Sequence, residues 1–243
     1  MYKEFSQFYD KIMDNVPYDE WASFIIKKIH QHSPQCKNIL DIACGTGNIT
    51  YYLKQEFKVT GTDISNNMLS IAKQKNPECN FIKADMSKNL PITEKFDAIT
   101  CIYDSLNYLA TEEQLYTFFE NCKKNLNKGG ILIFDIITMA KIRNLFKNNV
   151  FTMENKDFFS IWYNKFVTKD LFINDLVFFI RNNDDKYTKY KEKHKRRIFS
   201  GEIILDSAKK NSFVFKANYD GFSENKTDKY SERILYIFRR EDF

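Results

Sequence analysis

The ten residues DIACGTGNIT, from Asp41 to Thr50, are the most informative stretch of this 243-residue chain. They end an apolar run over residues 38–43 and lead into an amphipathic run over residues 49–55, which predicts a buried strand, a tight turn and a helix. Gly45 and Gly47 let the turn bend sharply and approach a ligand closely. The dinucleotide-binding fingerprint needs a third glycine where this chain has Thr50, so the turn does not favour a pyrophosphate.

The same alternation of short apolar and longer amphipathic segments continues along the first half of the chain. It predicts strands and helices in turn, with strands over 38–43, 58–62, 80–83, 96–102 and 131–137 and helices over 49–55, 67–75 and 112–126. We expect Gly129 and Gly130 to end the third helix. Strands that alternate with helices imply a parallel, doubly wound α/β sheet, whose ligands bind beyond the carboxyl ends of the strands.

The turn itself carries a family resemblance. The pattern Asp41-x-Ala43-Cys44-Gly45-x-Gly47 resembles motif I of the class I S-adenosylmethionine-dependent methyltransferases, although Ala43 stands where that family usually has a glycine. The resemblance implies a Rossmann-like, seven-stranded methyltransferase sheet. It also implies S-adenosylmethionine as the cofactor and S-adenosylhomocysteine as the product.

Three later segments resemble the family in the same order. By this resemblance, Asp63 would hold both ribose hydroxyls, Asp85 and the backbone of Met86 would bind adenine, and the backbone near Tyr103 would lie along the methionine moiety. Asp63 as a helix cap and Asp85 as a turn residue are the structural alternatives. The predicted cofactor-binding residues are Tyr9, Tyr18, Trp21, Asp41, Ala43, Cys44, Gly45, Gly47, Asp63, Ile64, Met68, Asp85, Met86 and Tyr103.

The N-terminal segment narrows the resemblance. Its residues from Tyr9-Asp10 to Tyr18 and Trp21 look like the opening of a bacterial subgroup of small-molecule N-methyltransferases, among them amino-sugar N,N-dimethyltransferases. In that subgroup this helix covers the cofactor and its tyrosine points into the active site. Core packing is the alternative for these tyrosines, because apolar neighbours recur at helical spacing.

The second half has a different pattern. After a helix over 138–147, aromatic and β-branched segments predict three antiparallel strands over 158–167, 171–180 and 187–199, with turns at 169–170 and 182–186. A helix over 200–209, capped by Ser200, and a hairpin of 212–219 with 233–238 follow. The resemblance implies that such a hairpin closes the main sheet, with one strand antiparallel to the rest. We therefore predict a cofactor-binding core with its N-terminal cover over 1–149, an antiparallel β insertion over 150–199, called the lid below, and a closing segment over 200–243.

Residues after the fourth strand and in the lid are candidates for the chemistry. The sulfonium already activates the methyl group, so the protein has to align the acceptor, exclude water and remove a proton. The candidate catalytic residues are His194, Tyr9, Asp104 and Tyr108. Amino-sugar relatives often have histidine where this chain has Tyr108, which leaves the base and a sugar acceptor open. A structural role is the alternative for His194.

Charge leaves a second class of acceptor open. Residues 1–137 hold 15 Lys and Arg against 17 Asp and Glu, whereas residues 138–243 hold 22 against 15. The run over 186–197 interleaves lysines with tyrosines and could bind RNA, although alternation on a strand makes most of its lysines a solvated face. The alternatives are therefore an RNA or protein methyltransferase that uses the basic lid, or a regulator that binds S-adenosylmethionine without catalysis.

The remaining expectations come from composition and resemblance. Five cysteines without paired spacing, no apolar leader and no long apolar run predict a cytoplasmic enzyme without a metal site or a membrane span. The acceptor is expected to be a small molecule, and nitrogen is favoured over oxygen as the atom that is methylated. The resemblance also implies a homodimer formed through the lid.

Overall fold

The computed structural model describes residues 6–147, 149–182 and 186–241 of the chain. Seven helices are described, namely α1 (Ser6–Ile12), α2 (Tyr18–His32), α3 (Asn48–Leu53), α4 (Asn66–Lys75), α5 (Glu112–Asn125), α6 (Met139–Lys141) and α7 (Gly201–Lys210). The described strands are β1 (Asn38–Ile42), β2 (Lys58–Asp63), β3 (Asn80–Lys83), β4 (Phe96–Cys101), β5 (Leu126–Ile137), β6 (Val150–Glu154), β7 (Phe158–Phe166), β8 (Leu171–Arg181), β9 (Tyr187–Arg197), β10 (Phe213–Asp220) and β11 (Arg233–Arg240).

The main sheet has seven strands in the order β10-β11-β5-β4-β1-β2-β3. Strands β1 to β5 are parallel, and β11 pairs antiparallel with both β5 and β10. Strand β1 lies between β2 and β4, so the strand order reverses at its carboxyl end, which is where such sheets bind ligands. This topology confirms the predicted α/β methyltransferase fold and its closing hairpin.

Two apolar cores lie on the main sheet. One contains the face of α5 predicted from helical spacing, where Leu115, Phe118, Phe119 and Cys122 are fully buried. The other contains α2 and α3. The two cores hold the carboxyl ends of β1, β4 and β5 in fixed relative positions. Within the part of the chain that the structure describes, no helix is long and apolar enough to cross a membrane.

The predicted bounds of α5 agree with the structure within one residue, but the role predicted for the glycine pair as its end was wrong. The helix ends at Asn125, and Gly129 and Gly130 lie inside β5. In the pairing of β4 with β5, Phe96 lies opposite Leu126, and the register shifts before the next matched pair. The segment that contains the two glycines therefore forms a β-bulge. A Cβ on Gly130 would lie 2.9 Å from a backbone oxygen, which explains why glycine is needed in the bulge rather than at a helix end.

The lid is a separate antiparallel sheet in the order β6-β7-β8-β9. The sequence predicted three strands and missed β6, a short edge strand whose side chains are nearly all exposed. The predicted helix over 138–147 is a single turn, α6, followed by a π-helical turn over Ile142–Phe146. The predicted turn over 182–186 lies largely outside the described residues. On the inner face of the lid, Leu176, Phe178 and Ile180 pack against Ile12 of α1.

Candidate active site

A cavity of about 230 Å³ lies where β1, β2, β4 and β5 end, between α1 and the inner face of the lid. Fourteen of the seventeen predicted site residues line it, namely Tyr9, Tyr18, Asp41, Ala43, Cys44, Gly45, Asp63, Ile64, Met68, Met86, Tyr103, Asp104, Tyr108 and His194. Trp21, Gly47 and Asp85 do not. The cavity therefore brings together predicted residues from α1, from the ends of separate strands and from the lid.

The glycine turn bends back along one wall of the cavity. Ala43, Gly45 and Gly47 all have φ between 57° and 76°, the left-handed region that favours glycine. A Cβ on Gly45 would meet no atom within 4 Å, so this glycine leaves open space beside the backbone. A Cβ on Gly47 would lie 2.6 Å from Asn76 Nδ2, so Gly47 serves close packing against the end of α4. Gly45 thus shapes the cradle, and Gly47 supports it.

Asp63 anchors the next wall. Its Oδ2 accepts a hydrogen bond from Gly45 N at 3.0 Å, and its Oδ1 accepts one from Ser65 N at 2.8 Å. Burial raises the pKa of Asp63 in spite of these bonds. The backbone of Ile64 also donates to this carboxylate. A carboxylate has about four acceptor sites, so the group retains capacity for a further donor such as a ribose hydroxyl. This remaining acceptor capacity fits the ribose of S-adenosylmethionine, and the role of Asp63 stays a prediction.

Asp41 is buried directly beneath the glycine turn. Thr50 Oγ1 and Thr100 Oγ1 donate to its two carboxylate oxygens at 2.7 and 2.9 Å. Burial raises the pKa of Asp41 to about 6. The carboxylate thereby ties β1 to α3 and β4, and its role in cofactor binding stays a prediction.

The segment after β4 is strained and held by one carboxylate. Tyr103 and Asp104 have φ of 67° and 49°, a conformation that costs about 1–3 kcal/mol for a residue other than glycine. Their backbone N–H groups donate to Asp135 of β5 at 2.6 and 3.0 Å. Arg233 of β11 binds both Asp135 and Asp104. The strain is therefore maintained by a buried ion-pair network at the cavity wall.

The other end of the cavity, called the lid end below, is lined by Asp104, Tyr108, Lys141, His194, Arg196 and Arg233. Tyr108 Oη lies 2.9 Å from His194 Nδ1, and Arg196 Nη2 donates to the same hydroxyl at 3.3 Å. Burial, reinforced by the positive charge of Arg196, lowers the pKa of His194 to about 3. His194 is therefore neutral near pH 7 and a weak base.

Asp104 is ionised in this arrangement. Burial alone would raise the pKa of its carboxyl, but the charges of Arg196 and Arg233 outweigh burial and lower it. Its Oδ1 lies 2.9 Å from Arg233 Nη2 and its Oδ2 lies 3.6 Å from Arg196 Nη2. A carboxylate held by two guanidinium groups suits positioning better than proton transfer, and its catalytic role stays a prediction.

Two lid residues that the sequence did not single out lie beside His194. Asn164 of β7, Asn174 of β8 and His194 of β9 are register partners in one row across the inner face, and all three are buried. Asn174 Nδ2 donates to Asn164 Oδ1. Among the described residues, the buried Asn174 Oδ1 has no hydrogen-bond partner. Alternation along β8 could have revealed Asn174, because it shares the parity of the buried Leu176 and Phe178.

The cover helix α1 is tied to the glycine turn by Asp10. Thr46 Oγ1 and Asn48 Nδ2 donate to Asp10 Oδ1 at 2.6 and 3.0 Å, and Lys75 Nζ lies 2.7 Å from its Oδ2. Tyr9 lies on the same helix and lines the cavity. The cover is thus held directly over the turn.

The three predicted site residues outside the cavity have other neighbours. Trp21 stacks on Phe222 with ring centroids 4.3 Å apart. Asp85 accepts hydrogen bonds from the backbone and hydroxyl of Ser87, as in a turn. Binding roles for Trp21, Gly47 and Asp85 remain predictions without a cavity contact. Among the described residues no group of three or more His, Cys, Asp or Glu side chains could hold a metal ion.

Comparisons with known proteins identify relatives along nearly the full length of the chain. Residues 39–130 match the family of methyltransferase domains. YqeM of Bacillus subtilis, itself designated a methyltransferase only provisionally, is 32% identical over 241 residues, which cover 97% of this chain and 96% of YqeM. An S-adenosylmethionine-dependent methyltransferase from Clostridium acetobutylicum, known from a crystal structure, is 34% identical, covers 99% of both chains and has a TM-score of 0.90.

A third relative extends the comparison to sugar chemistry. The dTDP-3-amino-3,6-dideoxy-alpha-D-glucopyranose N,N-dimethyltransferase of Streptomyces fradiae is 28% identical over 135 residues, 54% of this chain and 52% of that enzyme. The open cradle at Gly45 and the spare hydrogen-bonding capacity of Asp63 fit S-adenosylmethionine. With near-complete coverage by relatives above 30% identity, this chain belongs to the S-adenosylmethionine-dependent methyltransferases.

Proposed function

We propose that this protein transfers the methyl group of S-adenosylmethionine to the nitrogen of a small-molecule amine. S-adenosylmethionine supplies a methyl group that its sulfonium already activates, so the protein needs no nucleophile of its own. The observation that carries the proposal is the lid end of the cavity, which His194 and Lys141 line together with the guanidinium groups of Arg196 and Arg233. In keeping with this geometry, the pKa of both His194 and Lys141 is lowered.

The lid end disfavours protonated nitrogen. Burial comes first for both side chains, and the positive charge of Arg196 next to His194 and of Arg233 next to Lys141 adds to it. An acceptor amine in the same surroundings is subject to the same two effects. Its neutral form is favoured, and the nitrogen lone pair is then available for the methyl carbon. The N–C bond forms as the C–S bond breaks, and the extra proton leaves from the methylated nitrogen afterwards.

The same surroundings are less suited to an alcohol. A hydroxyl acceptor needs a strong base in place, because its own proton is held far more tightly than that of an ammonium. His194 has a pKa of about 3, and Asp104 is held by two guanidinium groups. The nitrogen-methylating relative from Streptomyces fradiae also supports an amine acceptor.

Enclosure supports a small acceptor. Tyr9 and Met13 of the α1 segment line one side of the cavity, and Trp162 and Leu176 of the lid line the other. The exposed lysines of β9, such as Lys191, lie on the opposite face of the lid from His194. The lid sheet would separate a polymer bound to those lysines from the lid end of the cavity.

Fractionated substrates test this proposal. The protein is incubated with methyl-labelled S-adenosylmethionine and, separately, with a small-molecule filtrate, total RNA and total protein from bacterial cells. We expect label in the filtrate. Label in RNA or protein, with none in the filtrate, would contradict the proposal, and S-adenosylmethionine binding without transfer to any fraction would favour a non-catalytic regulator.

Two expectations about assembly and location stay predictions. Homodimerisation through the lid would use exposed apolar side chains such as Val150, Met153 and Tyr163. Sedimentation of wild type and of Tyr163→Glu would measure it, with a monomeric wild type counting against the dimer. The cytoplasmic location rests on the sequence alone.

A further inference from the structure

Lys141 is a cation at the lid end without a matched anion. It ends α6, directly after β5, and lines the cavity. Among the described residues, its Nζ has no hydrogen bond and no ion pair. The two arginines beside it differ in this respect, because Arg196 and Arg233 both pair with Asp104. The cavity thus contains one amino group whose charge is not neutralised by direct contact.

The charges around Lys141 leave this imbalance in place. Asp104 and Glu232 attract its proton, whereas Arg233 and Arg196 repel it. Burial is the largest effect, and together with the arginines it lowers the pKa of Lys141 in spite of the two carboxylates. A negative charge brought into the cavity would offset both burial and repulsion.

Lys141 lies away from the predicted ribose and adenine residues. It follows β5, which is separated from β1 by β4 in the sheet, whereas the predicted ribose and adenine residues follow β2 and β3 on the other side of β1. The charged groups that surround it follow β4 or lie in and next to β9 and β11. This position leaves two sources for an anion at Lys141, namely the acceptor and the methionine carboxylate of the methyl donor, and the binding of S-adenosylhomocysteine to Lys141 variants distinguishes them.

We propose that the acceptor is an amine that also carries an anionic group, a carboxylate or a phosphate, and that Lys141 binds this anion. The inference rests on the proposed function and names the class of its substrate. Lys141 sets acceptor specificity and leaves the reacting nitrogen to the groups around Tyr108. A neutral amine would leave the buried charge uncompensated and is a poorer acceptor.

Anion exchange of the methylated products tests the inference. The labelled filtrate is passed at alkaline pH, where amines are neutral, over an anion-exchange resin. Retained label is expected. Label in the flow-through would overturn the anionic acceptor but leave amine methylation standing, whereas label in no small molecule would count against the proposed function itself. Phosphatase treatment separates the two sources, since a phosphate product loses its retention and a carboxylate product keeps it.

Variants assign the effect to Lys141. With the retained acceptor fraction, Lys141→Met should raise KM roughly tenfold or more, as expected from losing a charged hydrogen bond. Lys141→Arg should restore most of the affinity, and Lys58→Met, at an exposed lysine on β2, should behave as wild type. Calorimetry with S-adenosylhomocysteine should show unchanged binding in all three, whereas weaker binding in Lys141→Met would assign the anion to the carboxylate of the methyl donor and overturn the proposal. A fall in kcat with a shifted pH profile and an unchanged KM would identify Lys141 as a base and overturn the proposal.

Discussion

Tyr108 Oη and His194 Nδ1 lie 2.9 Å apart, and this hydrogen bond joins the turn after β4 to the inner face of the lid. Arg196 donates to the same hydroxyl, so the lid end depends on contacts between segments distant in the chain. Because His194 is buried and neutral, its protonation at low pH should disrupt this junction.

The stability of the protein should fall in acid partly through His194. Its pKa is about 3 in the folded protein against 6.5 for the ordinary side chain, so below about pH 6.5 the unfolded chain binds a proton that the native state does not. The free energy of unfolding then falls as pH drops. Between about pH 7 and pH 5 this contribution is roughly 2 kcal/mol. Urea unfolding at both pH values should show a smaller loss for His194→Gln than for wild type.

Asp41 acts in the opposite direction, which is why the variant comparison is needed. Its folded pKa of about 6 lies above the ordinary value, so its contribution to stability increases as pH falls through that range. His30→Gln changes an exposed histidine on α2 and serves as the control. An equal loss of stability in wild type and His194→Gln would show that protonation of His194 does not lower the free energy of unfolding.

The asparagine pair in the lid should show strong coupling. In Asn164→Leu, Asn174 Nδ2 loses its acceptor, while Asn174 Oδ1 already lacks a donor among the described residues. Leaving a buried polar group without a partner costs about 1–3 kcal/mol. In the double variant Asn164→Leu with Asn174→Leu, no amide remains to be satisfied. We expect the double variant to be more stable than the sum of the single losses predicts, as measured by urea unfolding of all four proteins. Strict additivity would argue against a direct bond.

The Asp10 contacts should control release of the product. Replacing Asp10 with Asn removes its ion pair with Lys75 and weakens the bonds from Thr46 and Asn48. We expect release of S-adenosylhomocysteine to become roughly tenfold faster. Stopped-flow fluorescence can follow this through Trp162, which lines the cavity. The exposed Asp14, changed to Asn, is the matched control, and unchanged release in Asp10→Asn would mean that α1 does not limit exit.

Asp63 should dominate cofactor affinity. Asp63→Ala removes the carboxylate that would hold the ribose and also frees Gly45 N, so calorimetry should show roughly 100-fold weaker binding of S-adenosylmethionine. Asp97→Asn tests whether any backbone-bonded carboxylate has this effect, because Asp97 accepts from Lys37 N and Asn38 N at the opposite end of the strands. Wild-type affinity in Asp63→Ala would remove Asp63 from the cofactor site.

Local patterns predicted the core of the fold well. Strands β1, β2, β4 and β5 contain buried runs and are followed by turns or helices, and the order of the strands along the chain implied the parallel sheet. Strand β6 was missed because an exposed edge strand has no buried face to impose alternation. The bulge at Gly129 and Gly130 was missed because a glycine pair after a helix has the same appearance as a helix stop.

In the candidate site too, some residues could be predicted from the local sequence and others could not. Residues of the glycine turn and Asp63 follow strands directly, so sequence order alone brought them together. Arg233 lies 98 residues from Asp135, and Lys141 and Asn174 belong to the lid side of the cavity. Alternation along β8 could have revealed Asn174. Nothing in the local sequence marks Arg233 or Lys141, because their neighbours come from tertiary packing.

The central claim is that a methyl group passes to an amine nitrogen. The most direct measurement is carbon NMR of the purified product made with ¹³C-methyl S-adenosylmethionine, since methyl carbons on nitrogen and on oxygen resonate at different shifts. The account predicts a single N-methyl or N,N-dimethyl signal on a small molecule. An O-methyl, C-methyl or S-methyl signal would contradict it.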